Sequence, residues 1–304
     1  MIQARKHMHR VVAQVVATIL RPGAVYDSAN FQLWESKGYH ITPTHFYYPI
    51  PDTRELESRN FQPSDLPGID LRTEFQLELI THTFTRFSSE YNAFPIKSSD
   101  PTVFFLDNDA FAGIDPHIYH CMIRNAKPRI IIEVGSGYST LLGAHAAHLN
   151  ASTRYICIDP WPRQLIARGV PNIEFIQRKV ENLDLDIFRQ LQRNDILFID
   201  SSHVLRTAGD VHFMFLEVLP RLAPGVIIHI HDIFLPFEYP KDWLVNQQRF
   251  WTEQYLLQAY LAENVHAEVL FSSHYLSTTY PQEVKEAFPN ALHIGGASFW
   301  IQKC

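Results

Sequence analysis

No stretch of the 304-residue chain has the roughly 18 consecutive apolar residues that a membrane-spanning helix needs. Basic blocks are missing too. Twenty-six lysines and arginines face 32 acidic residues, a net charge of −6. Without a basic stripe to neutralise phosphates, a nucleic-acid partner is not expected. Cysteine is scarce. Cys121, Cys157 and Cys304 lie far apart and form no C-x-x-C pair, which excludes a cysteine-ligated zinc site. It fits a reducing compartment, and the expected location is the cytoplasm. Cys157 lies in an apolar run and reads as a small core residue. Solenoid repeats and low-complexity tracts are absent as well.

What is present suits a globular protein. The hydrophobic fraction is 46% and the charged fraction 19%, with ample apolar material for a core. At about 150 residues per domain, the length allows one large domain or two small ones. Arg5, Lys6 and Arg10 precede the run VVAQVVATIL, a crude signal-peptide outline. Gln14 interrupts that run, Arg21-Pro22 follows it, and no small-x-small cleavage site stands nearby. The expectation is therefore an N-terminal helix that packs on the body.

The chain divides near residue 127. Residues 1–127 show no regular alternation of strand and helix and read as an extension or cap on the acceptor side. Within them, 1–20 and 72–90 look helical. Residues 40–68 carry Pro43, Pro49, Pro51, Pro63 and Pro67 beside Phe46, Tyr47 and Tyr48, which suits an ordered wrap or a lid. Residues 100–126 read as a helix-containing lead-in. Residues 128–304 form the second domain. There, short branched runs alternate with helical stretches: 129–134, 155–159, 173–176, 196–200 and 226–232 as strands, with helices near 139–148, 184–192 and 204–222. A helical stretch at 241–263 and late strands near 266–272 and 297–302 follow. Repeated strand–helix units give an α/β fold with a mostly parallel sheet and helices on both faces. Ligands bind such sheets beyond the strands' C-terminal ends. Glu133, Asp159, Asp200 and Asp232 all sit at such ends.

The turn Glu133-Val134-Gly135-Ser136-Gly137 lies between a buried strand and a helix N-terminus. Its two glycines let the backbone approach a ligand. The third glycine of a dinucleotide pattern is missing, since Tyr138-Ser139-Thr140 follows. Glu133 suits an ammonium group and repels a pyrophosphate. Asp159 ends the next strand, where a carboxylate can accept hydrogen bonds from ribose hydroxyls. An NAD(P)-dependent oxidoreductase shares that carboxylate and stays an alternative. Asp200-Ser201-Ser202-His203 and His231-Asp232 end two further strands. His229 alternates with the branched residues around it and reads as a core histidine.

IIEVGSGYST, YICIDPWP, DILFIDSSHV and LAPGVIIHIHDI together resemble the class I S-adenosylmethionine (SAM)-dependent methyltransferases. The nearest likeness is to the bacterial O-methyltransferase group with D-x-x-H and H-D motifs; catechol O-methyltransferase is more distant. The resemblance covers residues 128–304 and implies a Rossmann-like sheet of seven strands. It also implies site roles. Glu133, Gly135 and Gly137, with Ser136 and Ser139, would surround the amino-acid end of SAM. Asp159 would take the ribose, and Val180 and Glu181 would flank the adenine. Asp200 and Ser201 would lie near the sulfonium. His203 and His231 would face a small-molecule acceptor hydroxyl, with His203 the first choice of general base and Asp232 orienting a histidine. In the catechol type, two Asp residues and an Asn hold magnesium. Asp200 and Asp232 match the two Asp positions, but Ile233 stands where the Asn would be. With a histidine, the two carboxylates could bind a softer divalent ion. A non-catalytic SAM-binding homologue is the other alternative, and a homo-oligomer is left open.

Overall fold

Residues 2–20, 27–167 and 169–304 are described by a computed structural model. Arg21-Pro22 lies outside them. Two units can be told apart. One comprises Met1–Asn60 and Lys241–Phe250, the other Phe61–Pro240 and Trp251–Cys304.

The first unit carries helices Ile2–Ile19, Ser28–Ser36, Thr53–Ser58 and Lys241–Val245. Asp27 and Asp52 cap two of them through backbone N–H groups. Phe46 and Tyr47, in the proline-rich stretch, are exposed.

The second unit is built on a sheet. Its strands are β1 (Ile130–Val134), β2 (Arg154–Ile158), β3 (Ile173–Ile176), β4 (Ile196–Ile199), β5 (Ile227–Ile230), β6 (Ala267–Ser272) and β7 (Phe299–Lys303). Their order is β3-β2-β1-β4-β5-β7-β6. The first five pair in parallel, and β7 runs antiparallel to both β5 and β6. Side chains alternate across each strand. Ile131, Ile196 and Phe198 therefore join one apolar core, with helices Asp115–Ala126 and Tyr138–Leu149. Ile132, Val134, Leu197 and Ile199 join the other, with Val211, Met214 and Leu257. Burial on both faces explains why these strands read as unbroken apolar runs. The helical stretch expected near 72–90 runs from Thr73 to Tyr91 through a π and a 3₁₀ turn.

Three expectations need correction. The helix placed at 204–222 starts only at Asp210, because His203 and Ala208 take left-handed backbone conformations that a helix cannot continue through. The stretch 241–263 is two helices, Lys241–Val245 and Glu253–Leu261, parted at Gln248, which is also left-handed. Helices Ser273–Thr279 and Pro281–Ala287 were not anticipated. Ser272 caps the first, accepting from Tyr275 N–H, and a proline opens the second.

Candidate functional site

Strand order reverses between β1 and β4, so the loops leaving them diverge and open a crevice at the C-terminal edge. Gly135 makes the β1 loop possible. Its φ is +93°, and a Cβ there would collide with the Asp200 carbonyl. This glycine lets two loops close on each other whether or not a ligand is present. Gly137 differs: its backbone is extended, and a Cβ would meet nothing within 4 Å among the described residues. Thr140 takes the third-glycine position and its hydroxyl accepts from Gly137 N–H at 3.0 Å.

A cavity of about 390 Å³ fills the crevice. Its lining includes Gly135, Ser136, Asp159, Val180, Glu181, Asp200 and Ser201, seven of the ten residues read as cofactor contacts. Lys179, Arg206 and Asp210 also line it and were not foreseen in that role, and Trp161 lines it beside them. Asp159 already accepts from Ser136 Oγ at 2.5 Å and Trp161 N–H at 2.7 Å, so it shapes the loop as well as the cavity.

Glu133, Gly137 and Ser139 are not in that lining. Glu133 is fully buried on the face of the sheet that carries Ile131. Ser139 Oγ donates to one of its oxygens at 2.6 Å and Tyr155 Oη to the other at 2.7 Å. Both oxygens are thus spent on hydroxyls, and the position does not offer the carboxylate to an ammonium in the cavity. Burial pushes its carboxyl up to about 7, with the two hydroxyl bonds opposing.

At the other end of the cavity a second cluster begins with Asp200. His203 Nε2 lies 3.2 Å from Asp200 Oδ1 and 3.5 Å from Asp232 Oδ2. On its far side, Nδ1 is 2.9 Å from Glu253 Oε2. His203 and Asp232 both hold positive φ, 59° and 58°, which costs a non-glycine residue about 1–3 kcal/mol each and marks a site that its surroundings over-determine. Trp251 lies against the His203 ring, 4.4 Å between centroids. Burial works against an imidazolium here, but the Asp200 and Glu253 carboxylates outweigh it and hold His203 well above the ordinary histidine range. Both of its ring nitrogens face carboxylates.

His231 is buried beside the cluster, with Nε2 3.9 Å from Asp232 Oδ1. Its Nδ1 has no hydrogen-bond partner among the described residues. Phe111 packs against the ring at 5.4 Å. His229 stacks on Phe198 at 3.8 Å and bonds Ser298 Oγ at 3.0 Å; burial holds it well below the histidine range, as a neutral core residue. Glu253 is the participant that sequence reasoning missed. Its only signal was a lone first-turn acid on the apolar helix EQYLLQAYL.

Residues 132–233 match the family model of a methyltransferase domain. That span holds the whole cavity lining together with Asp200, His203 and Asp232. Over those residues the chain matches a methyltransferase domain, and the strand order and directions make the fold a Rossmann-like α/β sheet. An uncharacterized protein of Archaeoglobus fulgidus is 28% identical over 202 residues, 62% of this chain and 87% of that one. The O-methyltransferase TomG of Streptomyces achromogenes, involved in tomaymycin synthesis, is similar at 16% identity and a TM-score of 0.38, over 75% of this chain and 98% of its own. An O-methyltransferase from Bacillus cereus is similar at 14% identity and a TM-score of 0.37, over 74% and 89%. No helix among the described residues is long and apolar enough to cross a membrane.

Proposed function

We propose that this chain methylates an oxygen of a small molecule, with SAM in the cavity beside Gly135. The observation that carries the reading is the convergence of loops from β1, β2, β3 and β4 on one cavity whose size suits a nucleoside-sized ligand. In this reading Asp159 takes the ribose hydroxyls and Val180 and Glu181 flank the adenine. Gly135, Ser136 and Gly137 offer backbone to the amino-acid end, and Asp200 and Ser201 lie by the sulfonium. His231 removes the acceptor proton and Asp232 orients it, because His231 keeps one ring nitrogen unbonded. Residues 61–127 contribute to acceptor choice, which the packing of Phe111 on His231 supports.

Calorimetric titration with S-adenosylhomocysteine tests the cofactor half. Asp159→Ala is expected to weaken binding about 10- to 100-fold, as loss of hydrogen bonds to a charged group would. Tight NADH binding without S-adenosylhomocysteine binding would end the reading. The acceptor half is tested by screening hydroxyl compounds with labelled SAM. On an acceptor so found, His231→Gln should lower kcat roughly 10²- to 10⁴-fold at unchanged KM for SAM. Unchanged kcat would remove His231 as the base.

A further inference from the structure

We propose that Asp200, His203 and Asp232 bind a divalent transition-metal ion, and that Glu253 orients His203 for it. The magnesium site implied by the catechol-type resemblance does not fit this chain. Magnesium asks for near-octahedral oxygen ligands. Ile233, at the position where an amide oxygen would serve, is fully buried in an apolar core. What stands at the third corner instead is the imidazole of His203, a ligand that favours ions such as Zn²⁺, Co²⁺ and Fe²⁺.

The geometry carries the assignment. One ligand atom from each of the three residues falls within 4.8 Å of the others. The His203 Nε2 separations of 3.2 and 3.5 Å match the roughly 3 Å edge between neighbouring ligands when metal–ligand bonds are about 2.1 Å. His203 Nδ1 faces Glu253 Oε2 at 2.9 Å. A proton donated there leaves the Nε2 lone pair pointing at the two aspartates, the carboxylate–histidine–metal arrangement. Glu253 supplies a second, independent sign. It is fully buried, aimed at the cluster, and its other oxygen has no hydrogen-bond partner among the described residues. Three carboxylates therefore converge on one imidazole. Among the described residues, the ion pairs of the three are to His203 and His231 alone. A divalent cation would balance that negative charge. Asp200 belongs to both the cluster and the cavity, so the ion would lie beside the donor pocket. That it would take the acceptor oxygen rests on the methyltransferase reading; that it binds does not.

The test uses the full chain, stripped with a chelator and dialysed. Zn²⁺, Co²⁺ and Mg²⁺ are then titrated separately, with elemental analysis and the visible Co²⁺ spectrum as readouts. About one Zn²⁺ or Co²⁺ per chain is expected, with Mg²⁺ at least about tenfold weaker. Glu253→Gln should weaken Co²⁺ binding about 10- to 100-fold and alter its spectrum, and His203→Gln should abolish the bound Co²⁺ spectrum. Circular dichroism checks that each variant folds. Should Glu253→Gln not fold, Asp232→Asn takes its place. Absence of a transition ion at about one per chain overturns the proposal. So does Mg²⁺ binding of equal strength, or Co²⁺ binding that all folded variants leave unchanged, which would make the cluster an ion-pair knot. S-adenosylhomocysteine titrated into the stripped chain separates the two readings. A chain that binds the cofactor but takes up no ion when titrated sinks the metal site alone, and one that takes up the ion but binds no cofactor sinks the methyltransferase reading alone.

Discussion

Alanine at Gly135 is expected to destabilise the fold by roughly 2–6 kcal/mol, whereas alanine at Gly137 should change stability by no more than about 1 kcal/mol. The two glycines sit two residues apart in one loop but answer to different demands. At Gly135 the backbone is left-handed, and the new methyl group would meet the Asp200 carbonyl, which is itself fixed by Asp200 N–H bonding Val134. Relief would mean parting the β1 and β4 loops, and that would open the cavity from inside the protein. At Gly137 a methyl group has space within the protein. If SAM approaches that backbone, the same space belongs to the cofactor, and Gly137→Ala should weaken S-adenosylhomocysteine binding at least about tenfold, equivalent to about 1.4 kcal/mol. Urea midpoints and calorimetry on both variants decide it. A Gly137→Ala protein that binds like the parent would show that the cofactor does not approach this turn.

Much of the fold was legible because its strands are buried on both faces. Ile130-Ile131-Ile132 and Ile196-Leu197-Phe198-Ile199 carry no polar residue that could suggest a solvent side, and Pro128 and Gly135 bound the first of them. The strand-end carboxylates Asp159 and Asp200 were legible for the same reason, as the first polar groups after an apolar run. What escaped was set by tertiary contacts. Nothing local to Thr252-Glu253-Gln254 announces that Glu253 will meet an imidazole fifty residues earlier in the chain. The loop 204–209 has helical composition, but Asp210 accepts from both the backbone N–H and the hydroxyl of Ser202, which turns the chain away from a helix. The surroundings of His203 were half hidden in the same way. The D-x-x-H spacing brings the ring to Asp200, but Asp232 and Glu253 arrive from elsewhere and spend both its nitrogens. Glu133 was misjudged in direction alone. Alternation along β1 places it with Ile131, toward Tyr155 and Tyr119, and away from the cavity.

That direction gives Glu133 a measurable consequence. Its carboxyl is raised from 4.5 to about 7, chiefly by burial. A raised value in the folded state means that the folded chain holds the proton more tightly than the unfolded one. The stabilisation is then complete below about pH 4.5 and is lost as pH rises through about 7. A shift of this size is worth on the order of 3 kcal/mol. Glu133→Gln keeps the shape and removes the ionisation. Its amide oxygen can still accept from Ser139. Its NH₂ can donate to Tyr155 Oη if that hydroxyl turns to Tyr119 Oη, 2.9 Å away. Relative to the parent, the variant should therefore gain on the order of 3 kcal/mol between pH 5 and pH 8, read from urea unfolding at the two values. Parallel behaviour of parent and variant would mean that Glu133 stays ionised in the folded chain. Cofactor binding separates this buried role from the ammonium contact that the motif resemblance implies. A carboxylate occupied by Ser139 and Tyr155 predicts that Glu133→Gln alters S-adenosylhomocysteine affinity by less than about tenfold, whereas losing a direct charge-assisted hydrogen bond to the ammonium would cost more.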